Sequence, residues 1–507
     1  MVHLFRLAPG LALAAGFALP LAAQVPPETQ AEVRAALDRA VATLKDDAPD
    51  RARQRIDTAL ETLVKRGAEV AALATGPLPS LDRLIEARIA LDQAALDLSR
   101  SAEGLYAAAD VVSNATTALM QAEELLAPPS EEAAPPGLPA ESPDMLPRDT
   151  SPPDLALSQE IAAKGIAATE ARLAAVVEPP PEDRFALAGL RFLGAVEAVL
   201  QARWRVGLSE EISDLPFLRL PIADNPAPEP LDAGLIRDTL RATLPRLAAA
   251  RAPLDGLDDD FGLDIALGDL WFDVNANGSR DPGEDLAQIA GALIGSGPAL
   301  PVVRFDTADA AWLAAYTHML AGFSQVVLAY DPTASNQKTM DTRAALAQFP
   351  RSEPGMVDMI GEPWLDTVTV VLDALRREPD AAMSAAARDS FLAMIAQNRL
   401  FWERVAAETD NHREWIPNAR QESALGVTLP PETGPVWLEV LADAEAALNG
   451  TKLIPYWRSA GGVNLGRMFT EARPVDLLDW ISGAGAAPYL ESGEMVTVES
   501  SDRFNTL

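Results

Sequence analysis

The sequence contains no cysteine and only three histidines in 507 residues. A chain without cysteine forms no disulfide and offers neither a thiolate metal site nor a thiol nucleophile. It also has no N-terminal cysteine to which a lipid could be attached. These absences exclude disulfide-stapled domains, cysteine-ligated zinc proteins and thiol enzymes.

The motifs of several common enzyme classes are also missing. The sequence has no HExxH zinc motif, no GxSxG nucleophile elbow and no phosphate loop ending in GK[ST]. The glycine-rich runs at 461–466 and 483–488 lack the strand-then-helix frame of a nucleotide site, and we interpret both as turns. The sequence therefore favours a non-enzymatic protein.

Positive charge is scarce, with 41 Lys and Arg against 74 Asp and Glu and a net charge of −33. Such an acidic surface repels nucleic acid and anionic lipid, and it favours solubility and cation binding. We therefore expect no nucleic-acid partner. After the first 23 residues no segment offers about 20 uninterrupted apolar residues, so we expect no membrane span in the mature protein.

The first 23 residues, MVHLFRLAPGLALAAGFALPLAA, predict a secretory signal peptide. One charged residue, Arg6, precedes an apolar run that ends in small residues, and this order predicts cleavage near Ala23. The alternative is an uncleaved membrane anchor, but the run is short and is broken by Pro9 and Pro20. The protein is therefore expected to be periplasmic or secreted.

Residues 24–127 are rich in alanine and have helical periodicity. Large apolar residues recur every seven positions, at Leu84, Leu91, Leu98, Leu105, Val112, Leu119 and Leu126. Three residues after each of the first six comes alanine or serine, so the pattern is that of a close-packed antiparallel coiled coil. Such an arm could be a spacer that contacts a protein partner. The interpretation we favour is a helical bundle that buries its own seam.

Residues 128–153 contain nine prolines and no aromatic residue, which predicts a disordered linker. All nine tryptophans follow it, so the main domain is placed at 154–507. Its periodicity is mostly helical, and the fold class is predicted to be mainly α. Helices are predicted at 155–177, 183–206, 232–250, 307–330, 363–377, 384–407 and 433–449. Strand patterns within 261–273 and at 301–306 predict a short pair of strands.

Between these two strand patterns lies DVNANGSRDPGE, residues 273–284. A calcium loop of the EF-hand type places oxygen ligands at positions 1, 3, 5, 7, 9 and 12 and a glycine at position 6. Gly278 stands at position 6, where the turn requires a positive φ. The six predicted ligands are Asp273, Asn275, Asn277, the Ser279 carbonyl, Asp281 and Glu284. The alternative is an Asx-rich surface turn without metal.

This stretch resembles the calcium loop of the EF-hand family, and the resemblance implies a bound Ca²⁺. Arg280 at position 8, Pro282 at position 10 and an entering strand in place of a helix depart from the paired EF-hands of calcium switches. We therefore expect a structural site. The segments 304–332 and 476–493 resemble exported bacterial proteins that carry one such loop, a group without an assigned activity.

The run ETDNHREW, residues 408–415, crowds acidic residues beside a histidine and a tryptophan. Two carboxyl groups such as Glu408 and Glu414 could form the acid/base pair of an envelope hydrolase that acts on a glycan or a similar polymer. The interpretation we favour is a helix end followed by a turn, because no sequence-distant acid stands out as a partner.

Overall fold

The computed structural model describes residues 145–208, 220–258, 260–289, 300–349, 362–426 and 429–496. All of them belong to one unit of the chain. The predicted signal peptide, the predicted coiled-coil arm 24–127 and residues 128–144 of the predicted linker lie outside the described residues.

Helices make up most of the described chain, and this confirms the predicted mainly helical class. They are α1 (Ala156–Ala174), α2 (Pro181–Arg205), α3 (Leu235–Arg251), α4 (Leu286–Ile289), α5 (Thr307–Ala329), α6 (Thr333–Leu346), α7 (Glu362–Leu375), α8 (Ala381–Ala407), α9 (Thr433–Leu448), α10 (Leu465–Thr470) and α11 (Leu477–Ser482). The seven long helices predicted from periodicity are α1, α2, α3, α5, α7, α8 and α9.

Helices α5 and α8 form the most extensive helix pair of the described residues. They approach closely at Gly322, where an added Cβ would lie 2.6 Å from the ring of Phe391. Buried Met319 on α5 and Met394 and Ile395 on α8 fill one part of the contact. This pair fixes the ends of α5 and α8 relative to each other.

Strands β1 (Gly262–Ala266) and β2 (Val302–Asp306) pair antiparallel, as the sequence predicted. Side chains of a strand alternate between its two faces. Leu263 and Ile265 of β1 and their cross-strand neighbours therefore face the apolar core, where Ile265 is buried. The opposite face carries the polar pairs Gly262–Asp306 and Asp264–Arg304.

A second sheet of three very short strands was not predicted from the sequence. It consists of β3 (Ile454–Pro455), β4 (Gly462–Val463) and β5 (Leu490–Glu491) in the order β3-β4-β5. Strands of two residues are too short to show an alternating pattern. The glycine-rich run 461–466 was predicted to be a turn, but it contains β4 and the start of α10. The run at 483–488 does begin as a turn, where Gly483, with φ 99°, ends α11.

Helix α2 is the one helix of the described residues that is long and apolar enough to cross a membrane. Of its most apolar 18-residue window, 44% is buried within the domain. Leu187, Leu190 and Leu200 of this helix pack in the largest hydrophobic cluster, together with Ile265 of β1. Core helices have the same length and composition as membrane spans, and the packing of α2 is that of a core helix.

The segment 145–154, most of which was predicted to be linker, runs along residues 411–422 without regular secondary structure. Its backbone forms hydrogen bonds from Leu146 N to Arg420 O at 2.9 Å and from Asp149 N to Asn411 O at 3.1 Å. The ring of His412 also lies 2.8 Å from a carboxylate oxygen of Asp149. The end of the proline-rich segment thus packs against the main domain.

Gly165 interrupts α1 with φ 78° and ψ 176°, and the indole of Trp271 packs on it. An added Cβ would lie 2.9 Å from the Trp271 ring. Gly165→Ala is therefore expected to lower the free energy of unfolding by about 2 to 4 kcal/mol, because it places alanine in a positive-φ region that is essentially restricted to glycine and also adds a core clash. Chemical denaturation measures this loss.

Gly189→Ala is the matched control for this prediction, since an added Cβ at Gly189 in α2 meets no atom within 4 Å. Alanine is a better helix former than glycine, so this variant should be as stable as the native protein or slightly more stable. Equal stability of the two variants would contradict the close packing of Trp271 on Gly165.

Candidate functional site

The 273–284 loop lies in the connection between β1 and β2. The predicted entering strand ends earlier than expected, since β1 stops at Ala266 and a 3₁₀ helix, Leu267–Asp269, comes between it and the loop. As expected, the loop is followed by the short helix α4. Backbone hydrogen bonds join its two ends, from Phe272 N to Glu284 O at 2.9 Å and from Leu286 N to Leu270 O at 3.0 Å. The twelve residues therefore form a closed loop on a hydrogen-bonded base.

Asp273 at position 1 points its carboxylate into the loop. Its Oδ1 accepts a hydrogen bond from Asn277 N and its Oδ2 accepts one from Gly278 N, both at 2.9 Å. The turn at these residues has positive φ at Ala276 (58°) and at Gly278 (75°). The positive φ at Gly278 is the one expected for position 6 of the loop, and glycine adopts it without steric cost.

Glu284 at position 12 is 3% exposed and closes the loop from the other side. One of its oxygens accepts from Val274 N at 2.8 Å and the other from Asp281 N at 2.8 Å. Burial raises the pKa of Glu284, against the opposing effect of these backbone hydrogen bonds. Both oxygens of Glu284 thus face the loop, which is the orientation of a carboxylate that binds an ion with both oxygens.

The remaining side chains of the loop interact with one another. Nδ2 of Asn275 and Nδ2 of Asn277 donate to the same oxygen of Asp281, at 2.7 and 2.6 Å. Oδ1 of Asn277 accepts from Ser279 N at 2.7 Å. The hydrogen bond from Asn275, followed by that from Asn277, lowers the pKa of Asp281.

The residues of the loop fit a calcium ion in donor chemistry, because they supply hard carboxylate and amide oxygens on one short loop. The three carboxylates of the loop do not all come within 4.8 Å of one another, and Asn275 and Asn277 face Asp281 with their Nδ2 atoms. Among the described residues, one group of three acidic side chains brings its oxygens within 4.8 Å of one another, and that group is outside the loop. Binding would require the amides of Asn275 and Asn277 to turn their oxygens inward.

Helix α2 contacts Asp273, the first residue of the loop. The carboxylate of Glu197 accepts a hydrogen bond from Asp273 N at 2.8 Å, and Gln201 Nε2 donates to Asp273 O at 2.7 Å. Burial and the nearby charges of Asp273 and Glu284 raise the pKa of Glu197 to about 7. This contact could not be predicted from the sequence, because Glu197 lies 76 positions before Asp273.

A second cluster of acidic side chains lies at the polar face of the β1–β2 pair. Oxygens of Asp306, Glu408 and Glu414 lie within 4.8 Å of one another, and buried Asp309 is next to them. We call these four residues the carboxylate cluster. Glu408 and Glu414 were candidates from the sequence, whereas the two aspartates were not.

Each member of the carboxylate cluster is held by a structural element. Asp306 ends β2 and caps α5, accepting from Ala308 N at 2.7 Å, while Asp309 Oδ2 accepts from Asp306 N at 3.0 Å. Glu408 follows the last residue of α8. The backbone of Glu414 forms isolated β-bridges with that of Arg304 in β2 and with that of Ser423. The reciprocal capping box at DTAD was the sequence signal that could have identified the two aspartates.

Burial is the largest cause of the raised pKa values in this cluster. It raises the pKa of Glu408 to about 9 and that of Glu414 to about 7, and the charge of Asp306 adds to both effects. The pKa of Asp306 is raised, and that of Asp309 is raised well above its ordinary value, for the same reason. The cluster therefore holds protons near neutral pH.

The carboxylate cluster is poorly open to solvent. Glu414 is 4% exposed and Asp309 is 6% exposed. Gln421 Nε2 donates to Glu408 at 2.9 Å, and His412 N donates to Glu414 at 2.6 Å. Trp415 packs in the interior against Phe305 and Trp312, at ring distances of 5.7 and 6.0 Å. This tryptophan is thus part of the core beside the cluster.

No protein-family model matches the chain, and no curated protein and no solved structure matches it either. The chemistry of the loop and of the carboxylate cluster is therefore the basis for a functional assignment.

Proposed function

We propose that this chain is an exported, non-enzymatic protein whose main domain binds one calcium ion in the 273–284 loop. The observation that carries the proposal is the spacing of the loop residues together with the inward carboxylates of Asp273 and Glu284. The ion would be held by Asp273, Asn275, Asn277, the Ser279 carbonyl, Asp281 and Glu284. It would supply the charge that offsets three carboxylates on one short loop.

A structural role suits this site because its flanks are part of the core. Phe272 and Val274 at the start of the loop and Leu286 and Ile289 in α4 are all buried in the largest hydrophobic cluster. An ion that fixes the loop also fixes these side chains. A single loop preceded by a strand and a 3₁₀ helix lacks the paired helices that open in a calcium switch.

Isothermal titration calorimetry of the mature chain with Ca²⁺ tests the site directly. Three carboxylates and the turning of two amides support a dissociation constant of about 10⁻⁴ to 10⁻³ M, the range of extracellular calcium modules. Mg²⁺ should bind more weakly, because it is smaller and retains its water ligands. Absence of calcium heat in the native chain, under conditions where it is folded, would reject the proposal.

Export follows from the predicted signal peptide, and an extracellular compartment is also where calcium is abundant enough for such a site. Mass spectrometry of the exported protein should give an N-terminus close to Gln24, as expected from cleavage near Ala23. A mature protein that still begins at Met1 would instead support the membrane-anchor alternative. The arm at 24–127 is proposed to provide spacing or contact with a protein partner.

A second candidate function is a calcium-stabilised envelope hydrolase that uses the carboxylate cluster. The observation in its favour is that Glu408 and Glu414 lie close together with pKa values of about 9 and about 7, as an acid/base pair requires. The burial of Glu414 argues against access by a polymer. Release of soluble sugars from an envelope glycan by the native chain, and its loss in Glu414→Gln, would support this candidate over the first.

A further inference from the structure

Two side chains of α2, those of Glu197 and Gln201, contact the loop without belonging to its proposed ligands. Glu197 and Gln201 are four residues apart and therefore lie on one face of the helix. They bind the two sides of one residue, since Glu197 accepts from the Asp273 N–H and Gln201 donates to the Asp273 carbonyl. The backbone of the first proposed ligand is thereby fixed to a core helix.

Glu197 also brings a fourth carboxylate to the loop. One of its oxygens lies 2.8 Å from Asp273 N, and the next backbone N–H, that of Val274, donates to the Glu284 carboxylate at 2.8 Å. The carboxyl group of Glu197 is therefore close to both ends of the predicted ligand set. It is only partly exposed, which weakens the screening of its charge by solvent. A divalent cation in the loop would be attracted by this charge as well as by those of its ligands.

We propose that Glu197 is a positioning residue of the calcium site, which orients Asp273 through its backbone and increases calcium affinity by its negative charge. This inference rests on the proposed calcium function of the loop. Glu197 is outside the ligand set, as is usual for the residues that orient metal ligands, and loss of such partners typically weakens metal binding about 10- to 100-fold.

Two substitutions separate the charge of Glu197 from its hydrogen bond. Glu197→Gln keeps an oxygen that can accept from the Asp273 N–H but removes the charge, whereas Glu197→Ala removes both. Glu432→Gln is the control, because it removes the same charge at an exposed position outside the loop. Calcium affinity of each full mature chain is measured by calorimetry at about pH 9, where the Glu197 carboxyl group is ionised, and at about 20 mM and about 500 mM salt, where screening differs strongly.

Glu197→Gln is expected to weaken calcium binding about tenfold at low salt, with a smaller difference from the native chain at high salt. Glu197→Ala should be weaker than Glu197→Gln at both salt concentrations, and Glu432→Gln should bind like the native chain. The melting temperature of Glu197→Gln in chelator should equal or exceed that of the native chain. If Glu197 had a purely structural role, the melting temperature of the variant would be lower.

Native affinity in Glu197→Gln at both salt concentrations would overturn the role of Glu197 while leaving calcium binding by the loop intact. A salt-independent loss of affinity, together with a lower melting temperature in chelator, would assign the residue a structural role only. If the native chain itself binds no calcium, both the proposed function and this inference are rejected.

Discussion

Calcium at 1 mM is expected to raise the melting temperature of the mature chain, and Glu284→Gln is expected to remove most of that increase. A ligand that binds the native state alone stabilises it by RT ln(1 + [Ca]/Kd), which is about 0.4 to 1.4 kcal/mol for a Kd of about 10⁻³ to 10⁻⁴ M. For a domain of this size the corresponding rise is about 0.5 to 2 °C. The rise should continue at higher calcium concentrations and be reversed by chelator.

Glu284 is the residue of choice for this test because both of its oxygens face the loop. Glutamine in its place removes the charge and turns an amide group toward backbone N–H groups, so the variant is also expected to be less stable in chelator. The relevant quantity is therefore the difference in melting temperature between calcium and chelator, taken for each variant separately. Calorimetric scans of the native chain, Glu284→Gln, Asp273→Ala and the control Glu432→Gln give this difference.

The prediction has two clear ways to fail. An equal calcium-dependent rise in the native chain and in Glu284→Gln would place the ion elsewhere in the protein. An identical melting curve in calcium and in chelator for the native chain would leave 273–284 as an Asx-rich turn, whose Asn and Asp side chains serve only to form its hydrogen bonds.

The helical periodicity of the main domain was sufficient to predict its long helices except α6. That helix is as long as α7 but was not predicted, because its buried residue is Ser335 and it has no apolar stripe. Helices such as α5 and α8 have 23 and 27 residues, so their apolar pattern repeats over several turns. Strands β1 and β2 were also predictable, because each has five residues and a strand pattern in the sequence. The β3-β4-β5 sheet could not be predicted, since its strands are held by tertiary contacts.

The loop and the carboxylate cluster differ in how much of them can be predicted from sequence. All six predicted ligands of the loop lie within twelve consecutive residues, and their spacing is dictated by the size of the ion. The contact of Glu197 with this loop depends on the packing of α2. The carboxylate cluster joins residues about 100 positions apart, Asp306 with Glu408, through the packing of α5 against α8. Such proximity requires the tertiary structure.

Glu408→Gln is expected to stabilise the protein at about pH 8 and to leave its stability nearly unchanged at about pH 5. The folded-state pKa of Glu408 is raised from 4.5 to about 9, and that of Glu414 from 4.5 to about 7. The protonated groups therefore stabilise the fold fully below about pH 4.5. This contribution is lost as the pH rises through about 7 for Glu414 and about 9 for Glu408.

Glutamine in place of Glu408 keeps an oxygen that can accept the hydrogen bond from Gln421 Nε2. At about pH 8 the folded protein binds a proton at Glu408 that the unfolded chain does not bind, and glutamine needs no such proton. One pKa unit corresponds to about 1.4 kcal/mol. Because solvent still reaches part of Glu408, we expect a gain of about 2 kcal/mol at about pH 8, roughly half of the unscreened value. Urea denaturation in chelator at the two pH values measures it.

Glu403→Gln is the matched control, since Glu403 is an exposed residue near the end of α8, the helix that Glu408 follows, and it should change stability little at either pH. A loss of stability in Glu408→Gln that is equal at both pH values would show that the carboxylate is needed for a hydrogen bond that glutamine cannot replace. Destabilisation seen in calcium but not in chelator would have a different meaning. Asp306, Glu408 and Glu414 would then be binding the cation, because a bound ion displaces their protons and makes the Glu408 carboxylate stabilising.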